Sequence, residues 1–388
     1  MKSSGVLLNI IWTVLFAIPI WYSLYLYVEY TKKYYNSLNN FTIEEIMHVA
    51  IGEKAYLFTA FMNLLFVIGA LAGYQIIIAD ICKPVLEDWV GEGSFWASRE
   101  FVVLAITIVF LIPLSLFTQI HSLVIASIVG IFSVAAVVMV VIAKGFQDIG
   151  DGTTADQDIH WTVRSGIQVL LSPPIVIFSL SSHTQVPQLY AELRDDKKWS
   201  INSILISTVT VSSILYIITG LFGYLSFGED TDGDILLNFE LDDVFMDITK
   251  LLMAGHVLLA FPIQMLPTKR TVTLLATKIW RYIQHYEQLG NDGNQQPLTK
   301  VQNVVSALGI ILFTTCIAAF TPQVNVVFGI VGSTAGAAVM FVVPAILVLV
   351  DERGVQYFYR RLYAIGLIVI SVLAATIGTA VIIQQELV

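Results

Sequence analysis

Long apolar runs recur along the whole chain, separated by short polar segments. Ten of these runs predict membrane-spanning helices, because a helix needs roughly 20 mostly apolar residues to cross a bilayer. Only helices and closed barrels satisfy the backbone in lipid, and runs of this length exclude barrel strands. The predicted spans lie at roughly 6–29, 55–82, 101–118, 122–144, 166–190, 201–227, 244–267, 301–320, 325–350 and 362–383.

The run at 166–190 contains features that interrupt a regular helix. Pro173, Pro174 and Pro187 each lack a backbone donor and clash with the preceding turn. In lipid, freed backbone groups survive only where they are buried in protein or line a wet cavity. We therefore predict a discontinuous helix at 166–190. Small hydroxyl residues and a histidine lie between the prolines: Ser179, Ser181, Ser182, His183 and Thr184.

Two interpretations fit this interrupted segment. A broken, hydroxyl-rich helix at membrane depth is typical of the binding site of a transporter. A proline-kinked structural helix, whose serines bond back to their own carbonyls, has the same pattern. The residues of this segment leave both interpretations open.

Composition places the chain among integral membrane proteins. Of its 388 residues, 56% are hydrophobic and 13% are charged, with a mean hydropathy of +0.78. Soluble domains carry about 25% charged residues. We expect an all-α, polytopic helical bundle that forms a single transmembrane domain over residues 1–388, inserted in a lipid bilayer. Nothing in the sequence suggests nucleic-acid binding.

Catalytic and metal-binding motifs are not apparent. Cys82 and Cys316 lie in or beside spans and form no ligand-like pair. No nucleophile elbow, metal triad or phosphate loop occurs. The sequence therefore predicts that the chain is not an enzyme, with no catalytic residue, no metal site and no cofactor.

Lysine and arginine divide unequally between the two sides of the predicted spans. Fourteen of the 20 lie on one side, which the positive-inside rule predicts to be cytosolic. The six on the other side are Lys2, Lys83, Arg99, Lys144, Arg164 and Lys250.

Polar groups inside the spans are candidates for function, because an ionisable side chain at membrane depth costs at least a few kcal/mol unless it faces a cavity or a partner. His183 is the first of these, since it lies in the interrupted segment. His256 and Asn63 lie in other spans, and for Asn63 we favour a structural hydrogen bond across helices. Gly332 belongs to a stretch of small residues that allows close helix approach, with or without a ligand.

Several motifs in chain order resemble the amino acid/auxin permease family, and most closely its system A/N-type neutral amino acid transporters. The sixth-helix signature of that family is similar to Phe178-Ser-Leu-Ser-Ser-His-Thr-Gln-Val-Pro-Gln-Leu-Tyr-Ala-Glu-Leu193. The end of its seventh helix resembles Gly223-Tyr-Leu-Ser-Phe-Gly228 with Gly233-Asp-Ile-Leu-Leu-Asn238, and its eighth resembles Phe261-Pro-Ile-Gln-Met-Leu-Pro267. Its tenth resembles Val327-Phe-Gly-Ile-Val-Gly-Ser-Thr334 with Phe341-Val-Val-Pro344.

The resemblance implies a fold and an activity. The fold is the inverted five-plus-five repeat of LeuT-like (APC superfamily) transporters, whose first and sixth helices unwind around an amino acid. The activity is secondary active transport of neutral amino acids by alternating access, as a symport with H+ or Na+. The residues expected to bind the substrate are Phe178, Ser179, Ser181, Ser182 and His183, with Asn63, His256 and Gly332 from facing helices.

Two departures from the family pattern bear on this expectation. The chain begins, at Met1-Lys-Ser-Ser-Gly5, where the second helix of the family begins, so we expect it to lack the first helix. The sodium-coupled members have a threonine in the eighth helix, where this chain has Leu258-Leu-Ala260 without a hydroxyl. Its absence favours proton coupling or uncoupled exchange over sodium coupling. The alternative function is a transport-inactive membrane scaffold or amino acid sensor that lacks the first helix. An incomplete sequence would also explain the departure.

The sequence leaves the membrane open between the plasma membrane and the vacuolar or lysosomal membrane, since the family occupies both and no decisive sorting signal is present.

Overall fold

The computed structural model describes residues 1–388 except 39–40, 92, 117–122, 153, 155–156, 165, 240–243, 284–298, 322, 352–356 and 388. Within these residues all regular structure is helical and no strand occurs. The all-α prediction is confirmed.

The described part of the chain contains fifteen α-helices, several of which continue directly into 3-10 or π turns. They are α1 (Val6–Tyr34), α2 (Ile43–Ala50), α3 (Glu53–Val90), α4 (Arg99–Ile106), α5 (Ile112–Ser115), α6 (Leu123–Asp151), α7 (Ser172–Ser179), α8 (Val186–Glu192), α9 (Ile201–Phe227), α10 (Val244–Ile283), α11 (Lys300–Phe320), α12 (Val324–Val331), α13 (Val343–Asp351), α14 (Phe358–Leu373) and α15 (Thr379–Leu387).

Nine helical stretches of the described residues are long and apolar enough to cross a membrane. They are Val6–Ser37, Glu53–Val90, Ser127–Asp151, Ile167–Glu192, Lys197–Asp230, Val244–Lys278, Lys300–Phe320, Val324–Asp351 and Phe358–Gln384. The predicted polytopic bundle is confirmed, and nine of the ten predicted spans correspond to these stretches. The other predicted span, 101–118, lies partly outside the described residues, and α4, a π turn (Thr107–Leu111) and α5 form its described part up to Ser115.

Prolines inside three long helices do not end them. α1 continues past Pro19, α3 continues past Pro84, and α10 continues past Pro262 and Pro267 to Ile283. The helix of the predicted span 244–267 therefore extends beyond its predicted end. A proline removes one hydrogen bond, but neighbouring helices and local adjustments satisfy the freed carbonyl inside a membrane bundle.

The chain divides into two compact units, each assembled from separate stretches. Unit 1 comprises Met1–Phe66, His160–Ile217 and Phe328–Val388, and unit 2 comprises Val67–Ile159 and Ile218–Val327. A single transmembrane domain over the whole chain remains a prediction.

Ion pairs join distant helices within unit 1. The Arg360 guanidinium donates to both carboxylate oxygens of Glu29, at 3.1 and 2.8 Å. Lys33, near the end of α1, pairs with Asp351 at the end of α13. The two-bond geometry of an arginine–carboxylate pair fixes orientation as well as distance, so α1 and α14 are held in register at this end.

Candidate functional site

The predicted discontinuous helix is confirmed and lies in unit 1. A 3-10 stretch (Ile167–Leu171) leads into α7, which ends at Ser179. Residues 180–182 have no regular helical structure, and a single 3-10 turn (His183–Gln185) then leads into α8. The break therefore falls where the serines lie.

The prolines lie at the beginnings of the two half-helices. Pro173 is in the first turn of α7, and Pro187 is in the first turn of α8. The N–H groups of a first turn have no partner within the helix, so a proline there costs nothing, while its ring clashes with a helix that would continue from upstream. Pro187 thus permits α8 to begin but disfavours an unbroken helix from α7.

Side chains satisfy the carbonyls at the end of α7. The Ser179 hydroxyl donates to the carbonyl of Val176 at 3.0 Å, and the Ser181 hydroxyl donates to that of Phe178 at 2.6 Å. From α9, the Tyr216 hydroxyl donates to the carbonyl of Ser179 at 3.1 Å. Two serines thus bond back to their own segment, as the structural interpretation predicted. The helix is nevertheless broken, and each hydroxyl oxygen has lone pairs able to accept a hydrogen bond.

The broken segment has an open side and a buried side. Ser179 and Ser182 are exposed, whereas Phe178 and Ser181 are half-buried. His183 is only 1% exposed. The break therefore presents hydroxyl groups outward, while its histidine packs inward.

His183 is held by α1. Its Nε2 lies 2.7 Å from the Ser23 hydroxyl, and its ring packs edge-to-face on Tyr27 with centroids 5.8 Å apart. Ser23 donates its one hydroxyl proton to the carbonyl of Ile20 at 2.8 Å. It can then only accept from Nε2, so the proton of the neutral imidazole belongs on Nε2. Nδ1 keeps its lone pair, and it is buried without a hydrogen-bond partner in the described structure.

Phe178 and Gly332 meet beside the break. Phe178 stacks on Phe328 with centroids 4.2 Å apart, and Phe66 lies on its other side at 5.5 Å. A Cβ atom added to Gly332 would lie 2.9 Å from Cβ of Phe178, and still closer to the carbonyl oxygen of Pro174. Gly332 begins a π-helical turn (Gly332–Gly336) directly after α12. Close packing against α7 accounts for this glycine.

Asn63 contacts a different part of unit 1. Its amide donates to the Glu44 carboxylate at 2.6 Å, and its carbonyl oxygen is buried without a hydrogen-bond partner in the described residues. Glu44 lies on α2, which begins after Thr42, and the Thr42 hydroxyl accepts a hydrogen bond from the N–H of Glu45 at 3.3 Å. Burial raises the pKa of the Glu44 carboxyl. These contacts give Asn63 a structural partner, while its contact with a substrate remains a prediction.

His256 belongs to unit 2, whereas the other seven predicted site residues belong to unit 1. On α10 it packs against Gly130 of α6, where an added Cβ atom would lie 2.6 Å from Cε1 of the imidazole. Its Nδ1 is buried and has no hydrogen-bond partner among the described residues. Its assignment to the substrate site also remains a prediction.

The residues of other helices that support the break were not predicted from sequence. Ser23, Tyr27, Tyr216 and Phe328 contact the broken segment directly. Ser23 had a signal, because it is a polar residue within an apolar span. The aromatic residues had none, since aromatic side chains occur throughout the spans.

We expect Tyr216→Phe to lower the stability of the purified protein slightly. Loss of the bond to the Ser179 carbonyl should cost about 0.5–1.5 kcal/mol, a typical net value for a neutral hydrogen bond. The thermal unfolding midpoint in detergent measures this change. Tyr359→Phe is the matched control, because Tyr359 is 82% exposed. Equal midpoints for the two variants would contradict the expectation.

Metal ligands do not cluster in the described residues, where no group of three or more His, Cys, Asp or Glu side chains is arranged to hold an ion. Cys82 and Cys316 are both free cysteines.

Comparison with known proteins identifies the family. The sequence profile of the family described as "Transmembrane amino acid transporter protein" matches residues 1–384. Amino acid transporter AVT6B of Arabidopsis thaliana is 27% identical over 382 residues, covering 90% of this chain and 78% of the relative. Vacuolar amino acid transporter 7 of Saccharomyces cerevisiae is 26% identical over 280 residues, covering 70% and 54%. Vacuolar amino acid transporter 5 of Schizosaccharomyces pombe is 24% identical over 281 residues, covering 72% and 62%.

The family and these relatives are transporters and not enzymes, in agreement with the prediction from sequence. With a profile match over nearly its whole length and a series of membrane-spanning helices, one of which is broken, the chain is a multi-pass membrane protein that belongs to the transmembrane amino acid transporter family.

Proposed function

We propose that this protein is a secondary active transporter of neutral amino acids that works by alternating access. The observation that carries the proposal is the break at 180–182, which lies inside the candidate membrane span Ile167–Glu192 and has exposed hydroxyl groups beside it. The inverted five-plus-five repeat is part of the same proposal. The division into two compact units, each built from separate stretches of chain, supports a mechanism in which groups of helices move as bodies.

The ends of the half-helices suit a zwitterion. The C-terminal end of α7 carries the negative end of the helix dipole, which favours the substrate ammonium group. The backbone N–H groups that follow the break favour the carboxylate. The segment 172–185 contains no Asp, Glu, Lys or Arg. A charged substrate side chain would find no counter-charge there, so a neutral amino acid fits this segment best.

Proton coupling suits the residues better than sodium coupling. Sodium needs oxygen ligands, and the side chains of Leu258, Leu259 and Ala260 offer no hydroxyl where the sodium-coupled members of the family have a threonine. His183 is the one ionisable side chain of the segment 172–185, which makes it the candidate proton-binding group. Two of the relatives are named vacuolar transporters, which supports a vacuolar membrane as the location.

Uptake by proteoliposomes tests the activity. The purified full chain should accumulate tritiated L-alanine when the outside is acidified, and sodium alone should not drive accumulation. An absence of uptake under every gradient would reject transport and favour the alternative function, a transport-inactive scaffold or sensor.

Accessibility of Ser182 tests the site. In a background with Cys82→Ser and Cys316→Ser, we expect Ser182→Cys to react with a water-soluble thiol reagent, because Ser182 is exposed at the break. Saturating L-alanine should slow this reaction severalfold.

The control for the accessibility experiment is Asp230→Cys, at an exposed position in unit 2. Its labelling should not respond to alanine. Equal labelling rates of Ser182→Cys with and without alanine, in a variant that still transports, would remove the break from the substrate site.

A further inference from the structure

Unit 2 contains a polar chamber that the broken helix does not use. It has a volume of about 210 Å³ and lies between the C-terminal half of α3, the segment before α10, and α10 itself. Its charged lining residues come from all three elements, and its walls are otherwise apolar. The lining includes Asp80, Asp234, Leu236, Leu237, Phe239 and Lys250.

One carboxylate of the chamber is already paired. Asp80 is 5% exposed and accepts a hydrogen bond from the Arg99 guanidinium at 2.6 Å. The charges of Asp80 and Arg99 cancel each other, so the pair stabilises the chamber wall and presents little net charge to a ligand.

The remaining two charges are only partly satisfied. Asp234 accepts from the N–H of Leu236 at 3.0 Å through Oδ1, but its Oδ2 is buried without a hydrogen-bond partner in the described structure. Lys250 is 7% exposed, and among the described residues it donates a single hydrogen bond, to the carbonyl of Phe239 at 2.7 Å. An ammonium group has three donors. A buried carboxylate oxygen without a partner is costly, so both groups have capacity for a ligand.

A ligand that uses both groups must carry both charges. An ammonium group satisfies Asp234, and a carboxylate satisfies Lys250. The apolar walls formed by Leu236, Leu237 and Phe239 suit an aliphatic side chain. Drug-sized ligands occupy pockets of roughly 300–1,000 Å³. A chamber of about 210 Å³ takes something smaller.

We propose that this chamber is a second amino acid site, which binds a small aliphatic α-amino acid between the carboxylate of Asp234 and the ammonium group of Lys250. The choice of ligand class rests on the proposed function, but the site is separate from the broken helix because all of its residues belong to unit 2. Arg99 and Lys250 are on the side predicted to be non-cytosolic, so this site would bind amino acid from that side of the membrane.

Binding at this site weakens on acidification. Burial raises the pKa of Asp234 to about 6. The charged groups that face it in the described structure are Asp80 of α3 and Asp232 of its own segment, which contribute to the rise, and Lys250 of α10, which opposes it together with the hydrogen bond from the N–H of Leu236. A raised pKa means that the carboxylate is lost as the pH falls through about 6, and with it the attraction for the ligand ammonium group.

Equilibrium binding of tritiated L-alanine to the full chain in lipid nanodiscs tests the proposal. At about pH 7.5, where a group of this pKa is ionised, we expect about two alanine molecules per chain, one at each site. Asp234→Asn should reduce this to about one, because a neutral amide cannot pair with the ammonium group. Asp230→Asn, the same change at an exposed position nearby, should leave two.

The unaltered protein offers a second measurement that needs no variant. Acidification to about pH 5 should remove one of the two bound molecules. Alaninamide, which lacks the carboxylate, and propionate, which lacks the ammonium group, should not displace it.

A single bound alanine in the unaltered protein, or equal binding before and after Asp234→Asn, would overturn the second site. Proteoliposome uptake separates this failure from that of the proposed function. If the protein takes up alanine but binds only one molecule, only the second site is rejected. If it shows no uptake and no binding, both the second site and the proposed function are rejected.

Discussion

Gly332→Ala should abolish most amino acid uptake by the reconstituted protein. The new Cβ atom would lie 2.9 Å from Cβ of Phe178 and closer still to the carbonyl oxygen of Pro174, which belongs to the backbone and cannot rotate away. Overpacking of this kind costs typically about 1–3 kcal/mol. The half-helix α7 must shift or the π turn must open, and either change moves the break.

Movement of α7 is restricted from a second direction. A Cβ atom at Gly378 would lie 2.7 Å from Cγ of Pro174 and 3.2 Å from Cβ of Ser333. Pro174 is packed closely against both Gly332 and Gly378, so it cannot easily shift to relieve the strain of Gly332→Ala. In the proposed alternating-access mechanism, α7 must be able to move without such strain.

The matched control is Gly366→Ala on α14 in the same unit. An added Cβ atom there meets nothing within 4 Å. Helix propensity predicts a gain of up to about 1 kcal/mol for Gly→Ala in a helix interior. Uptake at the level of the unaltered protein is expected for Gly366→Ala. If Gly332→Ala behaves identically to this control, the close approach at α7 has no importance for transport.

Ser23→Ala should destabilise the protein through His183. The substitution removes the acceptor of the Nε2 proton, leaving a buried donor unsatisfied, which costs about 1–3 kcal/mol. The thermal unfolding midpoint of the purified protein in detergent should fall, and uptake should fall with it. Ser306→Ala is the matched control, because Ser306 is a buried helical serine that bonds to carbonyls of its own helix at 2.6 and 3.3 Å.

A double-mutant cycle isolates the contact between Ser23 and His183. Replacing both partners with apolar residues, Ser23→Ala with His183→Phe, should cost less than the sum of the single changes, since no donor is then left unsatisfied. A coupling energy of about 0.5–3 kcal/mol is expected. A coupling of zero would show that the two side chains do not stabilise each other. Uptake that is lost in a double variant of normal stability assigns His183 a functional role.

The membrane class, the helical architecture and the break at 166–190 could all be predicted from sequence. These properties are local. The length of an apolar run decides whether a helix can span a bilayer, and a proline acts on the turn that precedes it. Where the local rule was incomplete the prediction failed, as with α10, which continues through Pro262 and Pro267 because neighbouring helices compensate in a bundle.

The arrangement of the candidate site could not be predicted in the same way. The sequence offered His183, Asn63 and Gly332 as polar or small residues at membrane depth, but it did not tell which neighbours they have. In the structure His183 contacts Ser23 and Asn63 contacts Glu44 through hydrogen bonds, and Gly332 packs closely against Pro174. These partners come from other helices, and helical periodicity has no information about which helix a given face meets.

The chamber in unit 2 shows the same limit. Asp80, Asp234 and Lys250 lie in separate elements, and no spacing in the sequence relates them to one another. Only packing brings them around one space and leaves one carboxylate oxygen without a partner in the described structure.

By itself, the sequence determined that this protein is a multi-pass helical membrane protein of an amino acid transporter family with a broken helix near its middle, because hydrophobic run length and proline act locally along the chain. Only the tertiary structure decided that Ser182 is exposed while its neighbour His183 is buried against α1, and that three distant charges share a chamber. Those outcomes depend on which side chains fill the space between helices, a property of the folded packing and not of any single segment.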